Sequence, residues 1–252
     1  MKKRLFILIF LLSSTELIAQ SVSDLVSTNF ISLTVPIDYQ GQLKYLNNQN
    51  QIEVKNITSV KHDTSLLSSL PNLVSSVTLY QVDQSGGLSL LGNTLSASNS
   101  TYLVIYDYSQ TQTIQIKNQP DNFTYYALIG VSVRMIARVN TKKAGVNLAD
   151  LFGIGVQASA SKVTGSLEVR TSGINSLKIN EIIPVTTDLS PSSISNALQS
   201  VATIKSHIYD PDTKITPQFL AFSAVKNSNA AEGARIDFKK LSESVKSFQF
   251  EK

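Results

Sequence analysis

Two imidazoles, His62 and His207, and no thiol are the chain's whole stock of the side chains that most often bind transition metals or act as bases at neutral pH. Zinc sites draw on clusters of Cys and His, so neither a structural nor a catalytic zinc centre is expected. His207 falls at the end of a predicted helix, where a cation complements the helix dipole, and that position accounts for it without catalysis. Carboxylates come closest to a site in Asp210-Pro211-Asp212-Thr213, where two of them stand two residues apart in a loop. Asp210 and Asp212 are therefore the calcium candidate. The glycine, the third oxygen ligand and the distal Glu of a calcium loop are missing, and a Pro-containing turn that ends a helix explains the same residues. Asp107 and Asp121 have no route to that loop that the sequence reveals.

Hydroxyl chemistry has two starting points, Ser159-Ala160-Ser161-Lys162 and Ser223-Ala224-Val225-Lys226, both matching S-x-x-K. Acyl transfer by that motif needs it at the start of a helix, with S-D-N and K-T-G elsewhere. Neither companion is present, and the first match sits on a predicted hairpin. There is no G-x-S-x-G elbow, phosphate loop or dinucleotide fingerprint. No residue is assigned a catalytic or cofactor-binding role, and a hydrolase of unknown substrate is the third reading of function.

The second reading comes from Gly153 to Ile174, which alternates apolar and polar side chains about a turn at Ser161-Lys162. Membrane strands of about 9 to 11 residues alternate in this way, which makes Val156, Ala158, Ala160, Val163, Leu167 and Val169 the lipid-facing set of a pore-forming hairpin. No aromatic residue marks the membrane interfaces there, and alanines bring little apolar area. A half-buried sheet in a soluble domain alternates identically, and that is the expectation preferred.

These residues must be positioned by strands. Tyr125 to Val139 carries eight apolar residues at its odd positions, while its even positions include Gly130, Ser132, Arg134 and Arg138. It is predicted to be a strand with one buried face, bent near Gly130 or set in a large coiled sheet. Phe30 to Ile37, Val77 to Val82, Leu88 to Leu91, Tyr102 to Tyr108 and Thr111 to Lys117 read as shorter strands. Ser85-Gly86-Gly87 predicts a hairpin, and Ser109-Gln110 a tight reversal. With the 153–174 hairpin, the long strand makes an antiparallel meander. A helix from Pro191 to about Ile208 should cover it: Ile194, Ala197, Leu198, Val201 and Ile204 recur at helical spacing, Ser190 can cap, and Leu189 can staple against Ile194. Asp63 to Leu70 predicts a short helix, Ile215 to Val225 a strand, and Phe238 to Phe248 a short C-terminal helix. The fold class is thus α+β, mostly antiparallel β, a sheet of long amphipathic strands packed by one well-signalled helix and a short C-terminal one. Residues 20–252 are expected to form one β-rich domain, divisible into a β-rich portion (20–170) and an α+β portion (171–252).

The compartment is read from MKKRLFILIFLLSSTELIAQ, in which Lys2, Lys3 and Arg4 precede an apolar core of eight residues and a polar exit. That is the pattern of a cleaved signal peptide, residues 1–19, and the core is too short for a spanning helix. Removing three cations and Glu16 lowers the net charge from +4 to +2. Charged residues are 16% of the chain against about 25% in an average globular one, with Ser, Thr, Asn and Gln in their place. Nucleic acid is not expected as a partner, since Lys142-Lys143 beside Arg134 and Arg138 reads as solvated charge near a strand end. A chain exported without cysteines must be held by its core alone, and a bacterial setting is favoured: periplasm, cell surface or secreted. The first reading of function is therefore an exported, non-catalytic envelope or secreted binding or assembly protein, with a protein or surface glycan as partner.

Overall fold

Every odd-numbered side chain from Tyr125 to Val139 is at most 1% exposed, and the sheet is organised around them. They belong to β7 (Phe123–Thr141), one of the elements in a computed structural model that describes residues 30–47, 49–91, 100–116, 123–141, 163–226 and 238–250. One edge of β7 pairs along almost its whole length with β6 (Ser100–Ile116). Its other edge has two partners in succession: β12 (Gln218–Lys226) on Phe123 to Gly130, and β8 (Val163–Ser172) on Ser132 to Thr141. The change falls at Gly130, where a Cβ would lie 2.0 Å from the Gln110 carbonyl oxygen, so glycine alone permits the close approach to β6.

The full antiparallel order is β1 (Ile31–Asp38), β12, β7, β6, β4 (Asn72–Val82) and β5 (Leu88–Leu91), with β8 on the distal half of β7 and β10 (Thr187–Asp188) beyond it. Two small pairs stand apart, β2 (Gln42–Leu46) with β3 (Ile52–Asn56), and β9 (Ile174–Asn175) with β11 (Lys214–Ile215). The architecture is α+β and mostly antiparallel, as the alternation predicts. The β4–β5 turn forms at Ser85-Gly86-Gly87, where the Asp83 carboxylate accepts from the amides of Ser85 (2.8 Å) and Gly87 (2.7 Å). The reversal expected at Ser109-Gln110 does not form, because β6 continues through it. Both residues have partners on β4 and β7, and their polar ends are satisfied by Val74 O and Leu67 O, so two-sided pairing overrides local turn propensity. The first arm of the 153–174 hairpin lies outside the described residues.

α2 (Pro191–His207) covers the apolar face of β7 and β8 with Ile194, Ala197, Val201 and Ile204, all buried. Its start follows the sequence closely: the Ser190 hydroxyl accepts from the Ser193 amide (3.1 Å) and the Ser193 hydroxyl from the Ser190 amide (2.9 Å). Serine at the third helical position does the work usually given to Glu. α1 (Leu177–Ile182) packs beside it, and α3 (Phe238–Lys246) packs on β1.

The opposite face of the sheet is also buried around Arg134, and this the sequence misread. Arg134 lies mid-strand in β7 and is 1% exposed, not at a solvated strand end; Arg138 is exposed, as expected. The Arg134 guanidinium is held bidentately by Asp107 of β6, directly opposite, through Nε to Oδ1 (2.8 Å) and Nη2 to Oδ2 (2.7 Å). Its Nη1 donates to Leu33 O (2.6 Å). That carbonyl is free because β1 leaves its ladder with β12 between Ser32 and Ile37, a bulge that contains Pro36, which has no N–H to pair. Replacing Arg134 with Met would leave a buried carboxylate without a partner. Arg134→Met is expected to lower the unfolding free energy by about 3–5 kcal/mol in urea titrations, with Asp107→Leu recovering most of the loss in the double variant.

Candidate functional site

Between the β2–β3 hairpin and the 3-10 segment Thr64–Ser69 lies an open cleft of about 530 Å³. Its geometry starts in the hairpin. The Asn47 Oδ1 accepts from the Gln49 and Gln51 amides (2.9 Å each), its Nδ2 donates to Glu53 Oε1 (2.8 Å), and Asn50 takes the left-handed conformation (φ 58°) that asparagine tolerates. Strand alternation then places Leu43, Tyr45, Glu53 and Lys55 on the cleft side and Lys44, Ile52 and Val54 on the other, while Leu46, at the end of β2, also borders the cleft. The opposite wall is capped by Asp63, whose carboxylate accepts from the Ser65 amide (3.0 Å).

Gln112 of β6 fixes the two walls relative to each other. Its Nε2 donates to Lys44 O (2.9 Å) and Ser69 O (2.8 Å), while its Oε1 accepts from the Lys44 amide (2.9 Å). One buried amide thus satisfies backbone groups on both sides of the cleft, and Leu43, Leu66, Leu67 and Leu70 close the apolar space beneath.

The lining is polar and mixed. Asn47 and Gln49 offer amides, Ser65 and Ser68 hydroxyls, Lys55 and Lys61 ammonium groups, and Tyr45 a ring. Lys55 Nζ sits 2.8 Å from Glu53 Oε2 and 5.8 Å from the Tyr45 ring centroid. Hydrogen bonds from Lys55 and Asn47 hold the Glu53 carboxyl below its usual range. The Tyr45 hydroxyl is buried without a hydrogen-bond partner, and burial pushes its pKa up to about 12. The neighbouring Ser69 hydroxyl offsets part of this but gives its own proton to Leu66 O (2.6 Å). Glu53 is the one carboxylate among the described residues of the lining. The lining offers hydrogen-bond donors and acceptors, one ion pair and an aromatic ring.

The residues singled out from sequence lie elsewhere, and His207 and Asp210 are the pair among them brought into contact. Asp210 is taken up by Lys178 Nζ (3.1 Å) and His207 Nδ1 (2.9 Å), which hold its carboxyl below the usual range, while Asp212 is exposed. Among the described residues no three His, Asp or Glu side chains are grouped to hold a metal. His62 Nδ1 meets Ile215 O (3.0 Å), next to the β9–β11 pair. Ser223 is buried in a strand, not at a helix start. Of the membrane-hairpin set, Val163, Leu167 and Val169 are buried in the core, and Val156, Ala158 and Ala160 lie outside the described residues, with Ser159 to Lys162 and Asp121. The cleft itself was missed. Its signal was alternation across Leu43 to Lys55 around the turn-forming run Asn47-Asn48-Gln49-Asn50. Comparison of the chain with protein-family models, with curated proteins and with solved structures finds no match.

Burial also raises Tyr80 to about 12 and shifts Tyr39 and Tyr106 upward. In the unfolded chain each returns to about 10 and loses its proton first. Their contribution to stability is therefore whole below about pH 10 and is lost as pH rises toward about 12. Urea midpoints are expected to fall steeply above about pH 10, with phenolate absorbance rising together with unfolding.

Proposed function

We propose that this chain is an exported, non-catalytic binding protein of the bacterial envelope or its exterior, and that the cleft beside the β2–β3 hairpin takes a surface glycan. The observation that carries the reading is the lining: the Tyr45 ring is set among the amides of Asn47 and Gln49, the hydroxyls of Ser65 and Ser68 and the Glu53–Lys55 ion pair. A sugar presents C–H faces that pack on an aromatic ring and hydroxyls that match amides and carboxylates, and small-ligand sites combine an apolar surface with a few placed polar groups in this way.

The N-terminal basic and apolar pattern and the low charge content support an exported, wet surface. No helix among the described residues is long and apolar enough to cross a membrane. The competing pore reading would have to draw Val163, Leu167 and Val169 out from under α2, at the cost of core burial of about 1.5–3 kcal/mol for each large aliphatic side chain.

The test is a panel of immobilised neutral and acidic oligosaccharides. Retention of at least one is expected, with Tyr45→Ala weakening it about tenfold and Tyr45→Phe retaining it, since the hydroxyl has no partner to lose. A chain that retains no glycan, or binds one equally well as Tyr45→Ala, overturns the reading. Dye release from anionic vesicles on adding the folded protein would favour the pore instead.

A further inference from the structure

We infer that the free edge of β3 is a self-association surface, on which a second copy of this chain adds its own β3 in antiparallel register centred on Val54. The inference does not rest on the glycan reading. Among the described residues β3 pairs with β2 alone, and the Ile52 and Val54 side chains on the adjoining sheet face are 69% and 44% exposed.

The phase of the backbone selects the register. The bonds Asn47 N to Gln51 O (2.9 Å) and Ile57 N to Gly41 O (3.0 Å) bracket the hairpin ladder. Antiparallel alternation therefore turns the N–H and C=O groups of Gln51, Glu53, Lys55 and Ile57 toward β2, and those of Ile52, Val54 and Asn56 outward. A partner strand must meet those outward groups. Two copies related by a two-fold axis through Val54 satisfy this: Val54 exchanges both hydrogen bonds with the partner's equivalent, and Ile52 faces the partner's Asn56 position. The Asn56 carbonyl already accepts from Ser59 Oγ (2.7 Å) and keeps a second lone pair.

Charge selects the same occupant. In that register Glu53 stands opposite Lys55 of the other copy, and Lys55 opposite its Glu53, at the non-hydrogen-bonded positions where side chains lie closest. Within one copy these two groups already pair at 2.8 Å, with side chains 41% and 44% exposed, so each has room for the second partner. Exposed edges are commonly protected by a lone lysine, which repels its own image. Here the strand reads Ile52-Glu53-Val54-Lys55-Asn56, and a two-fold turns each charge onto its opposite. The product is a four-stranded sheet with the Ile52 and Val54 side chains of both copies on one face.

Sedimentation equilibrium of the wild-type protein through the micromolar range is expected to show a concentration-dependent rise to twice the monomer mass. Lys55→Glu or Glu53→Lys puts like charges opposite each other and should return the mass to that of the monomer, whereas the double reversal Glu53→Lys/Lys55→Glu, self-complementary again, should restore the dimer. Circular dichroism on the same samples checks that each variant is folded. Because the chain has no cysteine, Val54→Cys adds a single thiol. Two such thiols on the axis have Cα atoms about 5.5 Å apart, within disulfide range, so oxidation should give a covalent dimer that Leu73→Cys, exposed elsewhere, does not. A wild type that stays monomeric throughout, single reversals that leave the dimer intact, or no Val54→Cys cross-link would each overturn the inference.

Discussion

The fold depends on how one guanidinium is satisfied. Arg134 sits where water does not reach, and its charge is tolerable only because Asp107 neutralises it bidentately and a bulged carbonyl of β1 takes a further N–H. The arrangement uses the planar fork of arginine, which a lysine at this position could not reproduce. It also joins three strands remote in sequence, β1, β6 and β7, at one point. Around it Ser76, Thr78 and Ser109 are buried and hydrogen-bonded as well, and Tyr80 donates to Ser32 O (2.5 Å). One face of the sheet therefore has an apolar core, and the other carries a hydrogen-bonded cluster around Arg134. The second is the more exacting, because each unmatched group in it costs stability.

What the sequence made legible was local and periodic. The alternation of β7 and the helical spacing of α2 each bury a face, so each leaves its mark on consecutive residues, and Ser190-Pro191 with Leu189 marks a helix start by chemistry confined to a few positions. What it hid was decided at a distance. Ser109-Gln110 has turn chemistry, yet β4 and β7 pair with it on both sides. Arg134 looked solvated because polar residues at alternate positions normally face water. The hint against that was Asp107, an isolated charge of opposite sign inside another apolar strand, whose place opposite Arg134 follows only from the β6–β7 register. The cleft was hidden for a similar reason: β2 and β3 show modest alternation, and what turns them into a wall is Gln112, nearly 70 residues away along the chain.

The cleft and the sheet are therefore mechanically one object. Gln112 projects from the same strand that carries Asp107, so the strand that anchors the polar core also sets the spacing of the cleft's walls. A cleft whose walls are tied to a central strand is held in one shape, and under the proposed glycan reading less of the interaction is spent on ordering the protein.

The pairing of β1 with β12 has a bearing on how the chain is made. Ile31 lies beside Phe222, so the first described strand cannot be pinned until the region near residue 220 has been synthesised. Such long-range closure belongs to slow folding. A polypeptide of this topology leaves the ribosome with its sheet unfinished, and the last described strand to emerge is the one that locks the first described one.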